Sequence, residues 1–174
     1  MDLKIKYENG SMTVHLEEFL NCRSISKVKK LVKLIHHSAN PDDIGKIRMF
    51  VEQKIEQFEP KQMENTRHII EYTEKVKYTE QQVKISQWKL ELAEHEIKVC
   101  QAERDSHRRG TKVWKSCDKE VKRMRAELKG PKNELKEQKE KLKNFKILLR
   151  KRQKDFDNNI RNKEFYKKVL ENIT

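Results

Sequence analysis

The chain has 174 residues and a formal net charge of +13; 34% of its residues are hydrophobic and 40% are charged. Globular domains average about 45–50% apolar and about 25% charged residues, so this composition excludes a thick core and favours long helices that each bury a narrow apolar seam. The sequence has no run of about 18 apolar residues, no apolar signal segment and three scattered cysteines. We therefore expect no membrane contact and a cytoplasmic protein with reduced thiols.

The first seventeen residues predict a β-hairpin. Apolar residues alternate with polar ones on either side of Asn9-Gly10, at Leu3, Ile5, Tyr7, Met12, Val14 and Leu16. Asn-Gly at the centre of a two-residue loop favours a type I′ turn. The turn would pair these residues from the centre outward, as Tyr7 with Met12, Ile5 with Val14 and Leu3 with Leu16. All six side chains would then share one face, which we expect to pack on helices.

Two short helices are predicted next, and they complete a small α+β head over residues 1–60, in which the β-hairpin takes residues 2–17. Ser24 or Ser26 can cap the first helix. Its apolar positions follow the helical period at Val28, Leu31, Val32 and Ile35. The stretch Asn40-Pro41-Asp42-Asp43 is typical of a helix start, so we interpret its aspartates as capping residues rather than catalytic ones. This second helix should reach Pro60.

From residue 61 to residue 160 the apolar period is seven, as in a coiled coil. The first series places Ile69, Val76, Val83, Leu90 and Ile97 at heptad position a, and Tyr72, Thr79, Ser86, Ala93 and Cys100 at position d. The second places Trp114, Val121, Leu128, Leu135, Leu142, Leu149 and Phe156 at a, and Cys117, Met124, Pro131, Gln138, Phe145 and Arg152 at d. Between them, residues 106–111 predict a turn, with Gly110 as a helix stop and Thr111 as the next cap.

Folding about this turn predicts an antiparallel helical hairpin over residues 61–160. Its layers would set Ala93 against Leu128, Ser86 against Leu135 and Thr79 against Leu142, with ion pairs of Glu94 with Arg125 and of Glu80 with Lys139. We expect Gly130-Pro131 to kink or interrupt the second helix. Residues 161–174 should form a C-terminal helix that packs back on the head. The predicted fold class is mainly α: a long antiparallel coiled-coil helical hairpin projecting from a small α+β head with an N-terminal β-hairpin.

Positive charge is concentrated towards the C-terminus. Residues 111–174 carry 21 Lys and Arg against 10 Asp and Glu, whereas residues 1–110 carry 20 against 18. In the second heptad series, nine successive b and e positions are basic, and we call them the basic stripe: Lys122, Arg125, Lys129, Lys132, Lys136, Lys139, Lys143, Lys146 and Arg150. At 1.5 Å per residue the basic stripe would extend about 42 Å. Its charges would be about 5 Å apart, comparable with the phosphate spacing of a nucleic-acid strand.

The basic stripe has two interpretations. One is a non-enzymatic protein that contacts the phosphates of DNA or RNA, free or in a nucleoprotein complex. Lysine outnumbers arginine 30 to 11 and no aromatic residue interrupts the stripe, which favours backbone contact over base reading. The other is a structural coiled-coil adaptor or oligomerisation protein, in which e residues pair with acids across the seam and the charge is incidental. Either protein would be a monomer or a homodimer.

The sequence contains little that indicates chemistry. It has no Gly-rich phosphate loop, nucleophile elbow or HExxH motif, so we expect no enzyme activity, no catalytic residue and no cofactor. Cys117 could meet Cys100 or His107 near the turn, but both thiols fit as small seam residues, so no metal site is predicted. Trp88 and Trp114 are expected to be packing residues.

The β-hairpin followed by helices, the chain length and the lysine-rich helical body together resemble small accessory proteins of mobile elements from AT-rich genomes. Those proteins include anti-CRISPR inhibitors of Cas nucleases, many of which are small and non-enzymatic. The resemblance implies an inhibitor of an RNA-guided nuclease, with a Cas effector as its partner. Because this chain is basic, it cannot be an acidic DNA mimic. The implied contact is with guide RNA, target DNA or an acidic protein patch.

Overall fold

The computed structural model describes residues 2–7, 10–36 and 42–173 of the chain. The described strands are β1 (Asp2–Tyr7) and β2 (Gly10–His15), and the helices are α1 (Leu16–Asn21), α2 (Ile25–His36), α3 (Asp42–Ser106), α4 (Lys112–Glu127) and α5 (Lys129–Ile173). β1 and β2 pair antiparallel. The prediction of a mainly helical chain with an N-terminal β-hairpin is therefore confirmed.

The chain divides into two compact units. The first unit contains Met1–Arg67 and Arg152–Thr174, and the second contains His68–Lys151. Helices α3 and α5 each contribute to both units, so residues 61–67 and 152–160, which we assigned to the helical hairpin, belong to the first. The whole basic stripe lies in the second unit.

The register of the β-hairpin differs from the predicted one. The strands pair Tyr7 with Gly10, Ile5 with Met12 and Leu3 with Val14. The predicted register is wrong by two residues, Gly10 belongs to β2, and Asn9 lies outside the described residues. A shift of two leaves side-chain alternation unchanged, so the apolar pattern could not distinguish the two registers. Leu16, the predicted partner of Leu3, is instead the fully buried first residue of α1, so the hairpin ends at His15.

Helix α2 forms where it was predicted, and the structure shows which serine caps it. The hydroxyl of Ser24 accepts a hydrogen bond from the backbone N–H of Lys27 at 3.4 Å, so Ser24 rather than Ser26 caps the helix. The four predicted apolar positions are all buried: Val28, Leu31, Val32 and Ile35. Helix α1 was not predicted, because six residues are too few for a periodic signal. Asn40 and Pro41, at the predicted start of the next helix, lie outside the described residues.

The first unit has one apolar core, to which β1, β2, α1, α2, α3 and α5 contribute. Its buried members are Leu3, Ile5, Val14, Leu16, Leu20, Val28, Leu31, Val32, Ile35, Ile47, Val51, Tyr166, Val169 and Ile173. The C-terminal residues reach this core as part of α5 and not as a separate helix. The ring of Tyr166 lies 5.7 Å from that of Phe58, and Lys163 pairs with Glu59 at 2.9 Å.

Helix α3 continues through Pro60, so the predicted helix end at that residue is wrong. An interior proline lacks the N–H that bonds to the preceding turn, and it costs about 3 kcal/mol relative to alanine. Burial on both sides opposes that cost: Val51 is fully buried before Pro60, and Asn65 is buried after it. We infer that this packing keeps the helix continuous where local preference would end it.

The heptad pattern agrees with the observed burial. Every predicted a and d position from Ile69 to Phe156 is buried or half-buried. The most buried in the second unit are Val76, Thr79, Ser86, Ile97, Val121 and Leu135. Trp114 is half-buried, with the guanidinium groups of Arg104 and Arg109 each 5.9 Å from its ring. Trp88 was wrongly expected to pack, because at position f it lies away from the seam and is 63% exposed.

Within the second unit, residues earlier in α3 contact residues later in α4 and α5, as in an antiparallel arrangement. Arg104 pairs with Asp118 at 3.2 Å, Ser86 donates to Glu134 at 3.3 Å, and the rings of Tyr72 and Phe145 lie 6.5 Å apart. The predicted ion pairs are wrong by one heptad: Glu94 pairs with Lys132 at 3.7 Å and Glu80 with Lys146 at 2.8 Å. Long helical side chains lean towards their own N-terminus, so each acid meets a lysine that starts further along α5.

The turn between α3 and α4 confirms the predicted cap, whereas α3 ends at Ser106, four residues before the predicted stop at Gly110. Gly110 has a φ of +89°, a conformation that glycine adopts without a steric penalty. The hydroxyl of Thr111 accepts a hydrogen bond from the backbone N–H of Trp114 at 3.2 Å. The predicted interruption of the second helix is also confirmed: α4 ends at Glu127 and α5 begins at Lys129. Pro131 has no N–H to donate to the carbonyl of Glu127.

Candidate nucleic-acid interface

The basic stripe lies on α4 and α5, away from their buried positions. Eight of its nine side chains are exposed, and Lys146 is half-buried. The b row (Lys122, Lys129, Lys136, Lys143 and Arg150) is the more open of its two rows, because b positions lie away from the seam formed by a and d. The stripe therefore presents its charges to solvent over most of its length.

Three members of the basic stripe form ion pairs. Lys132 and Lys146, both at e positions, pair with Glu94 and Glu80 of α3. Lys122 pairs with Asp118 one turn earlier in α4, at 2.8 Å. Hydrogen bonding and the positive charge of Lys146 lower the pKa of Glu80 from its ordinary value of 4.5. Part of the e row is therefore neutralised by α3.

The other six members have no acidic partner within ion-pair distance in the described part of the chain. They are Arg125, Lys129, Lys136, Lys139, Lys143 and Arg150. Four of the six belong to the b row. Unpaired cations on an exposed helix face repel one another, and a bound polyanion would relieve that repulsion.

Helix α3 adds lysines to the same face, and the sequence analysis missed them. Lys84 also lowers the pKa of Glu80, by its charge, so it lies near the carboxylate that Lys146 contacts. Lys98 lines a shallow groove together with Arg125 and Lys132. The signal was present in the sequence, because Lys84 and Lys98 occupy b positions of the first heptad series.

Three acids of α4 and α5, at position g, lie on the other flank of the heptad. Glu120 and Glu127 both contact the guanidinium of Arg123. The hydrogen bond from Arg123 lowers the pKa of the Glu120 carboxyl group. Glu134 accepts the hydrogen bond from Ser86. These carboxylates are held by other partners, so they do not neutralise the basic stripe.

The cysteines and histidines form no metal centre in the described residues. Cys100 and Cys117 are free thiols that line one cleft near the turn, with Glu103, Glu120 and Arg123 at its edges. No three His, Cys, Asp or Glu side chains in the described ranges are grouped so that they could hold a metal ion. None of the described helices is long and apolar enough to cross a membrane.

The chemistry that the face can offer is that of its charged groups. Ammonium and guanidinium groups donate hydrogen bonds, and phosphate oxygens accept them from both. No aromatic side chain belongs to the basic stripe, so it provides no platform on which bases could stack. No protein family, curated protein or solved structure matches the chain.

Proposed function

We propose that this protein is a non-enzymatic binder of nucleic-acid backbone, free or within a nucleoprotein complex, and that the basic stripe is its contact surface. The observation that carries the proposal is the set of six exposed cations without an acidic partner among the described residues, four of them in the b row. Paired e residues can be explained by the fold. The four unpaired residues of the b row cannot, because their side chains contribute to no buried seam.

The scaffold that we propose for this surface is an antiparallel coiled-coil hairpin of α3 with α4 and α5. Two observations support it. The heptad positions a and d are buried or half-buried, and residues earlier in α3 contact residues later in α4 and α5, from Arg104–Asp118 to Tyr72–Phe145. In such a pair the acidic e positions of α3 meet the basic e positions of α5. A rigid helical scaffold would hold the cations in a row and lower the entropy lost on binding.

The residue types favour contact with phosphates over reading of bases. Lysine supplies a flexible point charge, whereas base recognition relies mainly on bidentate groups and stacking. Seven of the nine residues in the basic stripe are lysines. The protein should therefore bind with little sequence preference, and an RNA-guided nuclease with its guide RNA and target DNA is one nucleoprotein partner that suits this chemistry.

The proposal is tested by reversing three unpaired charges of the b row. The variant Lys136→Glu, Lys143→Glu and Arg150→Glu should keep its helix content and thermal midpoint, because these side chains are exposed and unpaired in the described structure. Its affinity for a fluorescent RNA or DNA duplex should fall steeply. Each lost phosphate contact removes about 0.9 units from the slope of log K against log salt on B-DNA, so the slope should flatten by roughly three.

A matched control carries the same change in net charge on the first unit. Lys29→Glu, Lys30→Glu and Lys168→Glu reverse three exposed lysines outside the basic stripe. This control should bind nearly as well as the parent chain, since local cations dominate phosphate contact within a Debye length of about 8 Å. Equal losses in both triple variants, or a parent chain that binds no nucleic acid at low salt, would refute direct binding by the stripe.

A structural coiled-coil adaptor is the second candidate function. The ion pairs of Glu80 with Lys146 and of Glu94 with Lys132 favour it, because they give part of the e row a purely structural role. An adaptor would retain its protein partners in the charge-reversed b-row variant. The two functions thus respond differently to the same three substitutions.

A further inference from the structure

A second row of apolar side chains runs along α3 within the second unit, and it is exposed. We call it the outer apolar row, and its members are Tyr78, Ile85, Trp88, Leu92 and Val99. Their exposed fractions are 64%, 45%, 63%, 44% and 54%. At 1.5 Å per residue the row extends about 32 Å along the helix. Exposed apolar patches of this extent mark interaction surfaces rather than ordinary solvent-facing residues.

The outer apolar row lies on the opposite side of α3 from the buried seam. Tyr78, Ile85, Leu92 and Val99 occupy heptad position c, two residues after position a. Two residues correspond to about 200° around an α-helix, so a side chain at c points away from one at a. Helices that pack on the seam of α3 therefore leave the outer apolar row uncovered.

The row has the spacing of a second coiled-coil seam. The c positions provide four consecutive apolar residues, and the f positions three residues later are Gln81, Trp88, His95 and Ala102. Together they follow the 3-and-4 spacing of an a/d heptad, with c in place of a and f in place of d. Gln81 and His95 are exposed polar members, and polar residues inside a seam typically restrict its register.

We propose that the outer apolar row is a homodimer interface, on which α3 of a second copy packs antiparallel about a two-fold axis. In the favoured register, Leu92 packs on Trp88 of the second copy and Tyr78 packs on Ala102 of the second copy. The two-fold axis repeats each of these contacts. A large residue then faces a small one at both ends of the interface, as close packing requires.

Charges beside the row select the antiparallel orientation. In a parallel pair, b positions meet g positions five residues later, so Lys84 would face Lys89 and Glu91 would face Glu96 of the second copy. Both contacts join like charges. In the antiparallel register, side chains that lean towards their own N-terminus bring Lys89 to Glu96 of the second copy. A two-fold axis repeats this attraction, whereas the parallel arrangement places Lys89 and Glu96 against like charges twice.

The interface is tested by sedimentation equilibrium of the full chain over a wide concentration range. The parent chain should fit a monomer–dimer equilibrium. Replacing two row residues by charges, as Trp88→Glu and Leu92→Glu, should leave a monomer with unchanged helix content, because both side chains are exposed within one copy. The matched control, Met63→Glu and Ile147→Glu, charges two exposed apolar residues outside the row and should remain a dimer.

The orientation is tested by exchanging one charge pair outside the basic stripe. Lys89→Glu alone and Glu96→Lys alone should each weaken the dimer roughly tenfold, since two symmetry-related attractions become repulsions. The double variant should restore the parent affinity. In a parallel dimer either single change would instead tighten association, which would overturn the antiparallel arrangement.

Two further outcomes overturn the interface itself. One is a parent chain that is monomeric at every concentration, which would assign the row to a different protein or to a lipid surface. The other is a dimer that survives Trp88→Glu with Leu92→Glu at unchanged affinity. The homodimer interface is tested independently of nucleic-acid binding, because the two tests use substitutions at different residues.

Discussion

Lys146 is the member of the basic stripe that the fold holds most closely. It is the one half-buried residue of the nine, and its ammonium lies 2.8 Å from a carboxylate oxygen of Glu80. Lys143, half a heptad earlier, is exposed and has no acidic neighbour within ion-pair distance among the described residues. Two lysines of one stripe thus differ: Lys146 contributes an ion pair to the fold, and Lys143 contributes none in the described structure.

The Glu80–Lys146 pair predicts a specific pH dependence of stability. Because Lys146 lowers the pKa of Glu80 in the folded chain, the carboxylate stabilises the fold above its ordinary pKa of 4.5. That contribution is lost as the pH falls through the lowered value. The difference in urea midpoint between the parent chain and Glu80→Gln should therefore be present at pH 7 and should vanish in strong acid.

Glu137→Gln is the control for this measurement. Glu137 is an exposed carboxylate of α5 without an ion-pair partner in the described part of the chain, so its substitution should shift the midpoint little at either pH. A Glu80→Gln difference that persists unchanged into strong acid would show that the ion pair is not its cause.

At the scale of elements, the second heptad series spans two helices, α4 and α5. Its seam residues are buried to different extents for that reason. Leu135 lies inside α5 and is 8% exposed, whereas Leu128 lies at the interruption and is half-buried. The heptad gives both residues the same position a. Burial depends on how closely the neighbouring helix packs, and that packing is looser where the backbone departs from a regular helix.

These two leucines give a graded stability prediction. Leu135→Ala should lower the free energy of unfolding by about 2–5 kcal/mol, the cost of a cavity in a packed seam. Leu128→Ala should cost less, because its side chain is already partly in contact with water. Ile147→Ala, at an exposed position, should change stability by less than about 0.5 kcal/mol. Chemical denaturation of the three variants measures the order, and equal costs at Leu128 and Leu135 would contradict it.

For the whole molecule, charge is distributed unevenly between the two units. The second unit contains 23 Lys and Arg against 14 Asp and Glu, and the first contains 18 against 14. The excess therefore lies mainly in the unit that carries the basic stripe. A polyanion approaching the protein is attracted to that unit over distances comparable with the Debye length.

This distribution predicts how binding depends on salt and on sequence. Between about 50 mM and 200 mM salt, six phosphate contacts would lower the affinity of the parent chain by roughly 10³. Duplexes of unrelated sequence should lose affinity in parallel, since phosphate contacts carry no base information. Fluorescence anisotropy on several duplexes at three salt concentrations tests both points. A strong preference for one sequence, or an affinity insensitive to salt, would contradict backbone binding.

Much of the fold and of the candidate site could be predicted from local sequence. Heptad spacing identified every buried or half-buried a and d position, Gly110 and Thr111 identified the turn, and the basic stripe was read directly from b and e positions. These features are encoded in spacings of three, four or seven residues or in a single backbone conformation. Such signals need no knowledge of distant neighbours.

The outer apolar row is equally visible in the sequence, but it lies outside the first seam of the same helix. Trp88 belongs to this row, because its position f places it outside that seam. Periodicity shows that a residue belongs to an apolar row. It does not show whether another part of the same chain covers that row.

Only the tertiary structure decided between alternatives that the local sequence supports equally well. The strand register could shift by two without changing any face, and burial of Leu16 in α1 selected the observed pairing. Pro60 predicts a helix end, yet α3 continues through it, with Val51 fully buried before it and Asn65 buried after it. Glu80 could pair with Lys139 or Lys146, and the lean of both side chains selected Lys146. Packing against residues distant in sequence and the placement of the facing helix decide these outcomes, and no local pattern contains either.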